Sequence, residues 1–173
     1  MSMDIPNSDE KLITTEIERK FVIDTLPAGL NLDAYPRKKI DQGYLSNTNE
    51  AAIRIRRKGD KFFWTFKSAP SGHATERVEL ECEITPQQFD TMWPGTAGKR
   101  LEKTRYEIPH GSHTIELDIF EGDNAGHMLA EVEFGSTSDA DMFTPPEWFG
   151  ADVTADKRFG NATIAEAGFP TEI

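Results

Sequence analysis

The chain has 173 residues, 37% of them hydrophobic and 28% charged, which is the size and composition of one globular domain. Its net charge of −11 argues against a long nucleic-acid ligand held by an extended basic surface, but leaves room for a small polyanion in a locally basic pocket. Cys82 is the only cysteine, so neither an internal disulfide nor a cysteine-based zinc site can form.

The N-terminal segment does not have the pattern of a secretory signal. Residues 1–12 lack the apolar stretch of a secretory signal and predict a flexible leader, which precedes a single domain over residues 13–173. The chain contains no apolar run long enough to cross a bilayer. These features predict a cytoplasmic location and no membrane partner.

Runs of alternating charged and hydrophobic residues occupy most of the chain and predict about eight strands. Because the connections between them are short, we expect mostly antiparallel pairing, with a hairpin turn at Lys58-Gly59-Asp60. The predicted strands cover residues 12–23, 39–46, 51–58, 61–68, 75–84, 100–108, 113–121 and 127–134.

Three short helices are predicted between and after the strands. The first two start at a Ser or Thr that can cap a helix, and the third ends at a glycine. The predicted helices are residues 86–93 capped by Thr85, a segment from Ser136 or Ser138 to the residue before Pro145, and residues 161–167.

The first predicted strand contains the segment Glu16-Ile17-Glu18-Arg19-Lys20. Side chains alternate between the two faces of a strand, so Glu16, Glu18 and Lys20 share one face. Two adjacent carboxylates suit a hard divalent cation, and the neighbouring lysine suits an anion such as phosphate. Taken alone, the pattern is also typical of a solvent-facing antiparallel strand.

The same alternation returns in the later strands, where the charges sort by sign. Like charges on neighbouring positions cost energy unless they bind ligands of opposite charge. If the sheet closes into a barrel with its charged faces inward, the interior becomes a polar tunnel with acidic and basic walls. The acidic faces carry Glu79, Glu81, Glu83, Glu116, Asp118, Glu131 and Glu133, and the basic faces carry Arg54, Arg56, Lys67, Lys103 and Arg105.

Eight motifs in order give the chain a family resemblance over residues 14–166. They are EIERKF, RIR, TFK, RVELECEI, EKTRY, ELDIFEG, EVEF and VTADKRFGN. The chain resembles the CYTH superfamily, the triphosphate tunnel metalloenzymes, and most of all their small bacterial inorganic triphosphatases. The resemblance implies a mainly β fold of the α+β class: an eight-stranded antiparallel β-barrel that forms an open charged tunnel, with helices packed outside.

The resemblance also implies which residues bind metal and substrate. Its two E-x-E segments would hold Mg²⁺ or Mn²⁺ through Glu16, Glu18, Glu131 and Glu133. The triphosphate would be bound by Lys20, Arg54, Arg56, Lys67, Lys103 and Arg105, with Arg158 of the C-terminal segment as a further candidate.

Three other residues are candidates for the chemistry. Tyr44 matches a tyrosine of related tripolyphosphatases and would pair with Lys20, because a lysine beside a phenol lowers its pKa and makes it a better base. Without the resemblance, Tyr44 is equally well an aromatic residue at the barrel rim. Glu81 and Asp118 are candidates for binding metal or water, and Glu81 has internal salt bridges with arginines as its alternative.

The predicted function is metal-dependent hydrolysis of inorganic triphosphate to phosphate and pyrophosphate. Adenylate cyclase activity of the class IV type and hydrolysis of thiamine or nucleoside triphosphates are enzymatic alternatives. A noncatalytic receptor for phosphorylated small molecules is the alternative outside catalysis. The expected partner is a small polyphosphate, and a homodimer formed through outer strand faces is a further possibility.

Overall fold

A computed structural model describes residues 13–70 and 76–173 of the chain. The predicted leader, residues 1–12, lies outside the described residues. The strands are β1 (Ile13–Val22), β2 (Arg37–Asn47), β3 (Ala51–Lys58), β4 (Lys61–Ser68), β5 (Glu76–Ile84), β6 (Arg100–His110), β7 (His113–Phe120) and β8 (Met128–Glu133). The α-helices are α1 (Pro86–Met92), α2 (Thr137–Met142) and α3 (Asn161–Ala167).

The strands form a closed antiparallel barrel in the order β1-β5-β4-β3-β2-β6-β7-β8, which confirms the predicted fold class. The turn between β3 and β4 lies where it was predicted, and Gly59 at its centre adopts a φ of +59°, which favours glycine. Strand β2 begins at Arg37, two residues before the predicted start, and its first residues pair with the end of β6.

The barrel is charged inside and apolar outside. Lys20 lies opposite Glu131 in the β1–β8 register, and both side chains are buried in the interior. The next pair, Phe21 and Ala130, faces outward into an apolar cluster. This arrangement confirms the expectation that the charged faces turn toward a shared enclosed space.

Helices α1 and α2 cover parts of the apolar outer surface, as predicted. Thr85 caps α1 in a capping box, and Phe89 of this helix packs against Phe62 of β4 at a ring separation of 5.0 Å. Ser136 caps α2, whose Ala140 is buried in the outer cluster around Phe21. Among the described residues, no helix is long and apolar enough to span a membrane.

Helix α3 does not pack outside the barrel, contrary to the expectation for all three helices. Its Ile164 joins a buried apolar cluster with Phe159 and with strand residues at one end of the barrel interior. Those strand residues are Val22, Leu101, Phe120 and Leu129. Each of them stands two residues from a charged interior residue of its strand, so the interior becomes apolar where α3 closes it. The interior is therefore apolar at the end next to α3 and charged along the rest of its length.

Candidate active site in the barrel interior

A cavity of about 830 Å³ lies between the barrel wall and the segment that leads into α3. It brings together six of the predicted site residues, which come from four strands. They are Glu16, Glu18, Lys20, Tyr44, Arg54 and Lys67. The remaining interior candidates lie deeper among the strands or toward a second cavity of about 470 Å³, which Glu116 and Glu133 line at the opposite end.

Three carboxylates form a compact group between the two cavities. Glu16, Glu18 and Glu133 each present one oxygen, and these oxygens all lie within 4.8 Å of one another. The group follows from the fold, because Glu16 and Glu18 alternate on β1 and Glu133 lies directly opposite Glu18 on β8. Three carboxylate oxygens at this spacing are suitable ligands for Mg²⁺ or another hard divalent cation.

Two of these carboxylates resist ionisation. Burial, together with the charges of Glu131 and Glu16, raises the pKa of Glu18 to about 7. Burial, together with the charges of Glu116 and Glu16, raises the pKa of Glu133 to about 7. A divalent cation among the three groups would remove this repulsion, so the donor set fits a metal both in chemistry and in charge.

The third carboxylate is held in its ionised form by a lysine. Burial opposes the charge of Glu16, but Lys67 Nζ lies 2.7 Å from its carboxylate and keeps its pKa below the ordinary value. Lys67 also contacts Glu79 at 3.1 Å. Lys67, a predicted substrate ligand, therefore contacts Glu16, a predicted metal ligand.

Glu131, the fourth predicted metal ligand, lies in an ion-pair network and not in the compact group. Arg105 Nη2 donates to it at 2.6 Å, and Lys20 Nζ lies 3.1 Å away. Burial opposes its ionisation, but Lys20 and Arg105 keep the pKa of Glu131 well below its usual range. Its role as a metal ligand stays a prediction.

Asp118 is completely buried and lies between two cations. Lys103 Nζ donates to Oδ2 at 2.6 Å, and Arg105 Nε donates to Oδ1 at 2.7 Å. Both oxygens are therefore engaged by protein groups, which does not favour the predicted binding of metal or water. Burial lowers the pKa of Lys103 to about 8, because it outweighs the negative charge of Asp118, which acts in the opposite direction.

Glu81 stands between the two predicted arginine ligands. Its Oε2 lies 3.2 Å from Arg56 Nη2 and 3.5 Å from Arg54 Nη2, and Thr65 donates to it at 2.7 Å. The salt-bridge alternative is thus the arrangement that the structure contains. The Nε atoms of Arg54 and Arg56 are buried without a partner among the described residues, as expected for donors that a bound anion satisfies.

Tyr44 and Lys20 line the same cavity, but each has another partner. The Tyr44 hydroxyl accepts a 2.8 Å hydrogen bond from Gln42 Nε2. Lys20 Nζ is paired with Glu131 and also donates to the Phe159 carbonyl at 3.5 Å. The predicted direct effect of Lys20 on the phenol is therefore not the arrangement found here.

Arg158 lies apart from the other predicted substrate ligands. It belongs to a short turn in which Asp156 accepts from its guanidinium at 2.6 Å, and more than half of its side chain is exposed. The neighbouring Asp156 and Lys157 line the cavity, whereas Arg158 is not among the lining residues. Its position does not support a role in substrate binding.

Three polar interior residues were not among those predicted from the sequence. Thr65 donates to Glu81 and accepts from Arg54, while Asn161 of α3 accepts from Lys103 at 3.2 Å. The third is Gln42, which stands two residues before Tyr44 and shares its face of β2. Alternation was therefore a usable signal for Gln42 and for Thr65, which precedes Lys67 by two residues. Asn161 follows from no local pattern, because only the closure by α3 brings it inside.

Comparison with known proteins identifies the family of this chain. The profile of the CYTH domain matches residues 14–144. The chain is 44% identical over 154 residues to the inorganic triphosphatase of Nitrosomonas europaea, covering 87% of this chain and 97% of that protein. It is 30% identical to the inorganic triphosphatase of Acetivibrio thermocellus, covering 87% of this chain and 93% of that protein.

Solved structures give the same result. The crystal structure of the inorganic triphosphatase NE1496 superposes with a TM-score of 0.64 at 40% identity, covering 89% of this chain and 96% of that chain. A putative adenylyl cyclase from Hippeastrum, at 18% identity and a TM-score of 0.54 over 73% of this chain and 82% of that chain, shares the fold alone. From its matched domain, its relatives and its barrel, this chain belongs to the CYTH family.

Proposed function

We propose that this protein is a hydrolase that cleaves inorganic triphosphate to phosphate and pyrophosphate with Mg²⁺ or Mn²⁺. The observation that carries the proposal is that Glu16 and Glu18 line one cavity together with Lys20, Arg54 and Lys67. A cavity that offers carboxylates to a cation and fixed positive charges to an anion suits a metal-bound polyphosphate. The names of the two relatives support the same reaction.

Glu16, Glu18 and Glu133 would hold the metal, since their oxygens already lie within 4.8 Å of one another. A bound divalent ion supplies charge neutralisation on phosphate oxygens and lowers the pKa of water. Lys67 contributes at the same point, because its contact with Glu16 places a positive charge beside the metal ligands. If Glu16 held the metal, the Lys67 ammonium would be free to contact a phosphate oxygen.

Arg54 and Arg56 bind the phosphate groups in this proposal. Their Nε atoms have no partner among the described residues, and Glu81 holds their Nη2 atoms in a fixed position. A guanidinium that keeps free donors in a buried site can contact phosphate oxygens without first losing a strong partner. Lys20 remains charged through Glu131 and acts as a cation and not as a base.

The lining of the cavity favours inorganic phosphate chains over nucleotides. Among its described lining residues, Tyr44 and Phe159 are the only aromatics, and both are buried. A nucleobase would therefore find no exposed ring on which to stack. We propose a small polyphosphate as the partner of this site and a cytoplasmic location for the protein.

A substrate panel tests this function. Purified protein with Mg²⁺ or Mn²⁺ is given tripolyphosphate, ATP, GTP and thiamine triphosphate, and the products are identified. We expect phosphate and pyrophosphate from tripolyphosphate as the fastest reaction, and at least a 100-fold loss in Glu18→Gln. Glu83→Gln, at an exposed carboxylate of β5 that contacts Lys61, is the matched control and keeps full activity.

Each other outcome identifies an alternative. Cyclic AMP as the main product from ATP would indicate a cyclase. Faster release of phosphate from ATP or thiamine triphosphate than from tripolyphosphate would indicate a triphosphatase with a different substrate. Tight binding of tripolyphosphate without turnover under either metal would indicate a receptor. Full activity in Glu18→Gln would contradict the metal site.

A further inference from the structure

Gln42 is an interior residue that binds neither the metal nor the phosphate groups in the proposed function. Its side chain is completely buried, and its Nε2 donates a 2.8 Å hydrogen bond to the Tyr44 hydroxyl. Its Oε1 is buried without a hydrogen-bond partner among the described residues. Because a buried amide that leaves its oxygen unpaired destabilises the fold, packing alone does not explain a glutamine at this position.

The groups around Tyr44 restrict where its hydroxyl can act. An amide nitrogen only donates, so Gln42 Nε2 takes up one lone pair of the phenol oxygen. Arg54 lies directly opposite Tyr44 in the β2–β3 register, and a guanidinium also has donors only. Tyr44 lines the cavity together with Lys20 and Arg54, so a lone pair of the phenol oxygen that Gln42 does not use can face this cavity.

The backbone between the two residues is fixed as well. A Cβ on Gly43 would lie 2.5 Å from the Cβ of Thr96, so the turn after α1 packs directly against the strand at this point. Thr96 is itself completely buried. Gln42 and Tyr44 are thus held on one face of a strand that has little freedom to shift.

We propose that Gln42 is a positioning residue that directs the Tyr44 oxygen toward the attacking water, an inference that rests on the proposed triphosphatase function. A donor on the phenol oxygen stabilises the phenolate, which can accept a proton from water. The water proton passes to the phenolate oxygen, and the water oxygen forms the new bond to the terminal phosphorus. The bridging P–O bond breaks, and its electron pair leaves on pyrophosphate.

The test compares Gln42→Met, which removes the donor, with Gln42→Glu, which keeps the shape and offers only acceptors. For Gln42→Met we expect kcat for tripolyphosphate to fall about 10- to 100-fold, with KM within about threefold of wild type. In Gln42→Glu we expect kcat to fall at least as far, because a carboxylate accepts a hydrogen bond from the phenol and cannot donate one to it. Gln87→Glu, on the exposed side of α1, is the control and leaves kcat unchanged.

One further measurement separates positioning from a general structural role. In a Tyr44→Phe background, Gln42→Met causes no additional loss of kcat, because the residue acts through the phenol.

The opposite results overturn the inference. They are an unchanged kcat in Gln42→Met, a full additional loss in the Tyr44→Phe background, or wild-type activity in Gln42→Glu. If Gln42→Met does not fold, Gln42→Glu serves for the same comparison. Position 42 lies in register with Arg56, which can pair with the new carboxylate. An inactive wild type overturns the proposed function itself, whereas an active wild type with an unaffected Gln42→Met overturns only the role of Gln42.

Discussion

At the scale of single residues, most charges of the interior are paired with an opposite charge before any ligand binds. Lys67 contacts Glu16, Lys20 contacts Glu131, and Arg56 contacts Glu81. Buried ions need such partners, because removing an unpaired charge from water costs several kcal/mol. Glu18 and Glu133 are less well compensated, so proton binding there competes with metal binding.

Glu18 therefore makes the metal-free protein sensitive to pH. Its pKa is about 7 in the folded state, above the ordinary value of 4.5. The stability that its proton contributes is fully present below pH 4.5 and is lost as the pH rises through 7. We expect the melting temperature of the metal-free wild type to fall between pH 5 and pH 8, and to fall less in Glu18→Gln.

Thermal unfolding with and without Mn²⁺ measures this effect. Since the metal binds only the ionised carboxylates, Mn²⁺ should raise the melting temperature at pH 8 more than at pH 5.5 in wild type. Glu83→Gln should follow the wild-type pattern. Equal stabilisation by Mn²⁺ at both pH values would show that Glu18 is not part of the metal site.

Alternation alone identified which charged residues face the interior, but not their partners. Glu18 and Lys20 share a face of β1 whatever the strand pairs with. That Lys20 meets Glu131 depends on β8 pairing with β1 to close the barrel, and this contact spans more than a hundred residues of sequence. The partners of Asp118 could not be predicted for the same reason, because Lys103 and Arg105 reach it only across the β6–β7 pair.

At the scale of the elements, β2 is positioned by contacts that local patterns do not reveal. Its strand character was predicted from alternation, while the packing of Thr96 on Gly43 joins it to the turn after α1. The same holds for helix α3. Its limits were predicted from its end residues, whereas its position at one end of the barrel depends on the apolar cluster around Ile164. Element limits follow local rules, whereas element positions follow long-range packing.

Replacement of Gly43 by alanine tests this packing. The added Cβ would lie 2.5–2.8 Å from three atoms of Thr96, so we expect a loss of about 1–3 kcal/mol in the free energy of unfolding. Gly29→Ala is the matched control, since a Cβ there meets nothing within 4 Å. Urea denaturation of both variants gives the comparison, and equal stability of the two would contradict the close contact.

At the scale of the whole molecule, the net charge of −11 conceals an interior with strong local positive charge. The overall charge argues against nucleic-acid polymers as ligands, but it does not predict where a small anion binds. The fold resolves this by turning acidic and basic strand faces into one enclosed space. A homodimer through the outer strand faces stays a prediction, which size-exclusion chromatography can test.

The most direct test of the central claim is an anomalous-scattering map from a crystal soaked with Mn²⁺ and tripolyphosphate. We predict a manganese peak among Glu16, Glu18 and Glu133, with the phosphate chain alongside it on Arg54 and Lys67. A manganese ion or a tripolyphosphate bound only on the outer surface of the barrel, with the interior ion pairs intact, would contradict the account.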